Sequence, residues 1–125
     1  MKNLLIVIIC SLFLVPNSFA QDFTQDLPEK YIPMQLATVQ IMNKAAGRTQ
    51  TLTIPVGQKT QYEKMHIVVE KCLATNEFLP EDYFMFVTIN KDKHQIFSGW
   101  MTKSDPGQNP LQDPDNDLWL VKCLD

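Results

Sequence analysis

Residues 34–56 read MQLATVQIMNKAAGRTQTLTIPV, and they carry the clearest strand pattern in the chain. Along 51–56, Leu52, Ile54 and Val56 fall on one side and Thr51 and Thr53 on the other. That is the two-residue period of a half-buried strand. Residues 34–42 are rich in β-favouring types, and the break at 43–48 contains Gly47. Two such runs around a glycine-containing turn predict a hairpin. Pro55 cannot donate to a ladder, so it marks an edge or a strand end.

Working outward, the same period recurs. Met65, Ile67 and Val69 alternate with His66 and Glu70, predicting a third strand that ends near Cys72. Residues 73–82 read as a loop around Pro80. Residues 83–89 are apolar on both faces, which predicts a buried central strand. A turn at 90–93 leads to a strand at 95–101, a long loop follows over 102–116, and a last strand is expected at 117–123. Only 59–69 is ambiguous, and no stretch sustains the i, i+3, i+4 pattern of a helix. The expected fold is all-β: a small antiparallel sandwich or barrel of about six to seven strands over residues 34–125.

The N-terminal end has a different character. Lys2 precedes an apolar run over 4–15 that is interrupted only by Ser11. Pro16 and Asn17 break it, and Ser18-Phe19-Ala20 supplies small residues at −3 and −1 before Gln21. This pattern predicts a signal peptide over 1–20, cleaved between Ala20 and Gln21. The run is shorter than the ~20 apolar residues of a membrane span. Cys10 follows Ile9, whereas a lipoprotein signal wants a small residue there. Residues 21–33 are polar, carry Pro28 and Pro33, and read as a leader that is mobile or laid along the domain.

The 125-residue chain has 11 Lys and Arg against 14 Asp and Glu, a net charge of −3. That excludes nucleic-acid binding by bulk positive charge. Cleavage would remove one charge, Lys2, and one of the three cysteines. The remaining pair, Cys72 and Cys123, is expected to form one disulfide in an oxidising compartment. No stable membrane span would remain.

Candidate chemistry is sparse. Asp113, Asp115 and Asp117 are spaced like the first ligands of a calcium loop, but Leu118 stands where the sharp turn needs Gly and Leu124 where the bidentate Glu belongs. The expectation is a solvated acidic loop, with no metal and no cofactor. His66 and His94 are the general-base candidates by residue type, and each is expected at the surface or rim. Trp119 is expected in the core beside the disulfide. Trp100 is weighed toward the core as well, with sugar stacking as the alternative. The loop at 104–116, held by Pro106, Gly107, Pro110 and Pro114, reads either as a rigid cover or as a binding surface. The candidate binding surface is Trp100, Asn109 and Asp117, and no catalytic set is assigned.

Three segments carry a resemblance to a known family. They are Asn43-Lys44-x-x-Gly47-Arg48 leading to Ile54-Pro55-Val56-Gly57; Phe97-Ser98-Gly99-Trp100-Met101; and Asn109-x-Leu111-x-x-Pro114-x-x-Asp117-Leu118-Trp119-Leu120-x-x-Cys123. Over residues 36–123 the chain resembles the DUF2155 family of exported bacterial proteins of unknown function. It departs from that pattern at Ala46, Lys64, Asp113 and Asn116. The resemblance implies export and supplies no mechanism; some members carry a cellulase-like label. The expected function is a non-enzymatic periplasmic or envelope module that binds a protein or a polysaccharide. A small glycan-directed hydrolase is the alternative.

Overall fold

The computed structural model describes residues 30–125. The expected signal peptide, its expected cleavage point at Ala20 and Gln21, and most of the expected leader lie outside these residues. Eight strands follow one another: β1 (Tyr31–Pro33), β2 (Leu36–Asn43), β3 (Arg48–Pro55), β4 (Lys59–Tyr62), β5 (Met65–Thr75), β6 (Tyr83–Lys91), β7 (His94–Thr102) and β8 (Asn116–Leu124). All pairings are antiparallel. The all-β expectation holds. Two short strands are added to it: β1, from the end of the predicted leader, and β4, from the ambiguous region. Among the described residues no helix is long and apolar enough to cross a membrane.

The hairpin β2–β3 forms where the alternation places it. Asn43 Oδ1 accepts from the Ala46 amide (3.1 Å), and Gly47 takes φ +65° to close the turn. With β8 on its other side, β2 is the centre of a three-stranded sheet in the order β3-β2-β8. The second sheet runs β1-β5-β6-β7. There β6 covers one edge of β5, so β1 and β4 share the other, at 73–75 and 65–68.

One hydrophobic core lies between the sheets. Val39, Ile41 and Ile54 of one sheet meet Ile67, Val69, Met85, Val87 and Ile89 of the other, all fully buried. Each such side chain contributes about 1.5–3 kcal/mol on leaving water.

Cys72 and Cys123 are bonded across the sandwich with their Cα atoms 5.7 Å apart. Each reaches the core through a β-bulge. In β5, Val69 pairs with Val87 and Lys71 with Phe86, leaving Glu70 extra. Without that bulge, alternation from Met65, Ile67 and Val69 would send Cys72 outward. In β8, Leu120 pairs with Val39 and Lys122 with Thr38, leaving Val121 extra. That bulge resets the phase after Leu118 and Leu120 and turns Cys123 inward. Two one-residue irregularities thus bring the sulfurs to one point.

Two sequence expectations need correction. Strand 83–89 is central, but only one of its faces is buried. Met85, Val87 and Ile89 face the three-stranded sheet, whereas Phe84 and Phe86 lie half-buried on the outer face. Trp119 is likewise not in the core. It sits between the buried Leu118 and Leu120 and so faces outward, half-buried, opposite Gln40 on the outer side of the three-stranded sheet. An apolar run on both faces of a strand does not say which face the second sheet will cover.

Candidate functional site

The bulge at Glu70 lies at the corner where the chain passes between sheets. The β1–β2 connection crosses at Met34 and Gln35, and the β3–β4 connection crosses at Val56 and Gly57. Both are tied to the β5 edge: the Met34 amide donates to the Cys72 carbonyl and the Gly57 amide to the Val69 carbonyl, each at 2.8 Å. The Val56 amide donates to the Gln35 carbonyl (2.9 Å) and joins the two crossings. On the outer surface this corner leaves an open trough of about 380 Å³. Pro33, Met34, Val56 and Leu73 give it apolar walls, and Glu70 and Lys71 project into it. Trp100 closes the far side, and a smaller depression of about 310 Å³ continues between Lys71, Phe86 and Trp100.

The position of Trp100 follows from the β7 register. Met101 is buried at 5 % exposure, so Trp100 points outward, and it is 42 % exposed. It is no part of the core. It pairs with Phe86, which in turn pairs with Lys71, so the three side chains form a row straight across the sheet. The Trp100 and Phe86 rings meet edge to face, 5.4 Å apart at 75°. The next row adds Phe84 and Leu73, with Tyr31 packed against Phe84 at 5.1 Å. One half of this outer face is therefore aromatic. The other half is polar, where Thr88 and Ser98 hydroxyls lie 3.2 Å apart.

Asn109 belongs to the same place. Its Nδ2 donates to the Trp100 carbonyl (3.1 Å). This close approach needs Gly99, because a Cβ there would lie 2.9 Å from that nitrogen. Asp117 does not belong. It lies on β8 opposite Met42, on the outer face of the other sheet, where its Oδ1 accepts from the Leu118 amide (2.9 Å). The candidate surface thus divides into Trp100 with Asn109 on one side of the sandwich and Asp117 on the other. No local sequence pattern marks Glu70 or Lys71 as site residues. The doubly apolar run 83–89 was the one signal for Phe86.

The long loop is a fastened cover. Ser104 is held by Asp82, its hydroxyl donating to Oδ2 (2.7 Å) and its amide to Oδ1 (3.1 Å). Asn109 holds the middle, Leu111 enters the core at 3 % exposure, and Asp113 anchors the end. Asp113 is buried, not solvated as its acidic surroundings predict. Its carboxylate accepts from Lys91 Nζ (3.0 Å) and from the amides of Asp115 (3.2 Å) and Asn116 (2.9 Å). Burial alone would push its pKa up, but the Lys91 hydrogen bond and the backbone donor outweigh it and hold the carboxyl below the usual range. Hydrogen bonds to Asp115 and then Asp113 raise the Lys91 ammonium in turn. The ammonium also lies 2.7 Å from Asp115, filling the place between the carboxylates that a cation would take. Among the described residues no group of three or more His, Cys, Asp or Glu side chains is placed to hold a metal.

His66 lies on the outer face between Gln61 and Asn90. It borders a polar depression of about 550 Å³ with Lys59, Lys64 and Lys93. His94 begins β7 and is exposed.

Neither the curated proteins nor the solved structures contain a match to the chain. A family model does match: that of DUF2155, described as an uncharacterized protein conserved in bacteria, over residues 37–123. The matched span runs from Ala37 in β2 to the bridging Cys123 and takes in the whole three-stranded sheet but for its ends, the β5–β7 platform and the fastened loop. The chain belongs to the bacterial DUF2155 family.

Proposed function

We propose that the protein is exported across the cytoplasmic membrane, loses its leader after Ala20, and works in the periplasm or envelope as a non-enzymatic module. It binds an extended partner, an envelope protein or polysaccharide, along the trough beside Trp100. The leader pattern supports export, and the Cys72–Cys123 disulfide is compatible with an extracytoplasmic location. One observation carries the binding reading. Trp100 remains 42 % exposed although its ring is braced by Phe86 and its backbone by Asn109. A large aromatic held rigid and left in water is the usual anchor of a binding surface. The trough is open to solvent and not enclosed, which suits a polymer better than a small molecule that must be buried. Among the described residues its lining includes one carboxylate, Glu70, whereas glycoside hydrolysis ordinarily needs two flanking the bond.

The test is co-sedimentation of the mature protein with purified bacterial envelope. Wild type should pellet with the envelope, and Trp100→Ala should stay in the supernatant while remaining folded by circular dichroism. Equal pelleting of both proteins refutes the site. Release of new reducing ends from envelope polysaccharide by wild type but not by Glu70→Gln refutes the non-enzymatic reading.

A further inference from the structure

We infer that the trough beside Trp100 takes an uncharged glycan strand, whose sugar rings lie against the exposed indole while Glu70 and Lys71 bond its hydroxyls. The inference rests on the binding reading above and names the chemistry of the occupant.

Three observations lead to it. The first is the polar pair. Glu70 and Lys71 stand side by side at the bulge, both exposed, and among the described residues neither side chain has an ion pair or hydrogen-bond partner. One accepts only and the other donates only. A sugar hydroxyl does both, so neighbouring hydroxyls on one ring can use the two groups together, and bonds to charged groups are the stronger kind. The second is charge. The pair sums to zero, and the whole chain carries −3, so an anionic polymer would be repelled and a cationic one would find a single carboxylate. A neutral polymer matches both facts.

The third concerns the backbone. A peptide that binds by strand addition gains its affinity from a free sheet edge. Here the β5 edge is already closed by the Met34 and Gly57 amides, so a peptide finds no ladder in the trough. A helical peptide needs an unbroken apolar stripe, and Glu70 and Lys71 interrupt this one. A glycan needs neither. It presents flat C–H faces to an aromatic ring and hydroxyl edges to polar side chains, and the trough sets these two surfaces next to each other.

The experiment titrates the 15N-labelled mature protein with three probes: cellohexaose, chitohexaose and a hexameric oligogalacturonate. Amide shifts should concentrate at 70–73, 84–86 and 98–100 with one or both neutral hexasaccharides, and be weak with the charged one. A response to both identifies the ring face as the recognised feature; a response to chitohexaose alone identifies the acetamido group as well. The affinity should change little between low and high salt, as expected for an uncharged ligand. Trp100→Ala should weaken it about tenfold and Glu70→Ala about fivefold. Both side chains lie on the outer face and outside the core, so both variants should stay folded by circular dichroism. The glycan assignment is overturned if no neutral probe shifts these amides, or if the oligogalacturonate binds more tightly. Should envelope binding still depend on Trp100, the site reading stands, and its occupant is an anionic glycan if the oligogalacturonate bound more tightly and a protein if none of the three glycans bound. Shifts confined to the outer face of β3 and β8 would overturn both.

Discussion

Removing the Cys72–Cys123 bond should cost about 2–4 kcal/mol, and the size can be worked from the fold. The cysteines are 51 residues apart. Chain-entropy reasoning for a loop of that length gives ~14 cal/mol/K, or about 4 kcal/mol at 25 °C. The native state pulls the figure down. Both sulfurs sit in the core, at 1 % and 4 % exposure, and a free cysteine is a well-tolerated small hydrophobe there. Opening the bond therefore leaves the packing largely in place, and the loss comes from the unfolded chain. For a domain of about 100 residues, 1 kcal/mol moves the melting temperature by about 4–8 °C. Cys72→Ala/Cys123→Ala should accordingly melt about 10–25 °C below wild type, and reduced wild type should fall near the double variant. Urea melts with and without reductant measure the same quantity independently. Equal midpoints for oxidised and reduced protein, or two thiols reactive to maleimide in the unreduced native protein, would show that the bond does not stabilise the fold.

Other outcomes follow from single contacts. Because the Asp113 carboxyl is held below its usual range, its share of stability is present above about pH 4 and is lost as pH falls through its folded value. Asp113→Asn should flatten that acid limb in a melting-temperature profile from pH 2 to 7, and a limb as steep as wild type contradicts the Lys91 clasp. Gly99→Ala should push the Asn109 amide off the Trp100 carbonyl, costing about 1 kcal/mol and speeding amide exchange across the 103–112 loop. Unchanged exchange there contradicts the clamp. Leu111→Ala should cost about 2–5 kcal/mol, because that loop side chain lies in the core. Trp119→Ala should fold and lose less than the ~3 kcal/mol of a truncated core aromatic; an unfolded variant, by circular dichroism, would return Trp119 to the interior.

Much of the sheet architecture is written in alternation. Leu52, Ile54 and Val56, and then Met65, Ile67 and Val69, announce their strands because one face must be apolar and the other need not be. The short strands carry no such mark. β4 is Lys-Thr-Gln-Tyr, and it is extended because β5 offers it an edge. β1 is three residues ending in proline, and pairing with Leu73, Ala74 and Thr75 makes it a strand. The disulfide is legible from cysteine count and compartment but not from phase, since both cysteines are out of step with their strands until Glu70 and Val121 are skipped. The site is harder still. Trp100 and Asn109 are visible as residues, but the trough exists only because two connections cross between the sheets at the Glu70 bulge. That meeting joins residues 33–35, 56, 70–73 and 100, which no local pattern links. Trp119 and Trp100 look alike in sequence, each with an apolar neighbour on either side or one side, and only the stacking of the two sheets shows that both face outward.

As proposed above, the protein meets the envelope with the aromatic face of its five-stranded sheet. Hydrogen–deuterium exchange of the mature protein, free and bound to purified envelope, tests it most directly. The account predicts slower exchange on binding at 70–73, 84–86 and 98–100, with 49–53 and 117–121 unchanged. Protection of the Thr51 and Trp119 face instead, with the Trp100 face unaltered, would contradict it.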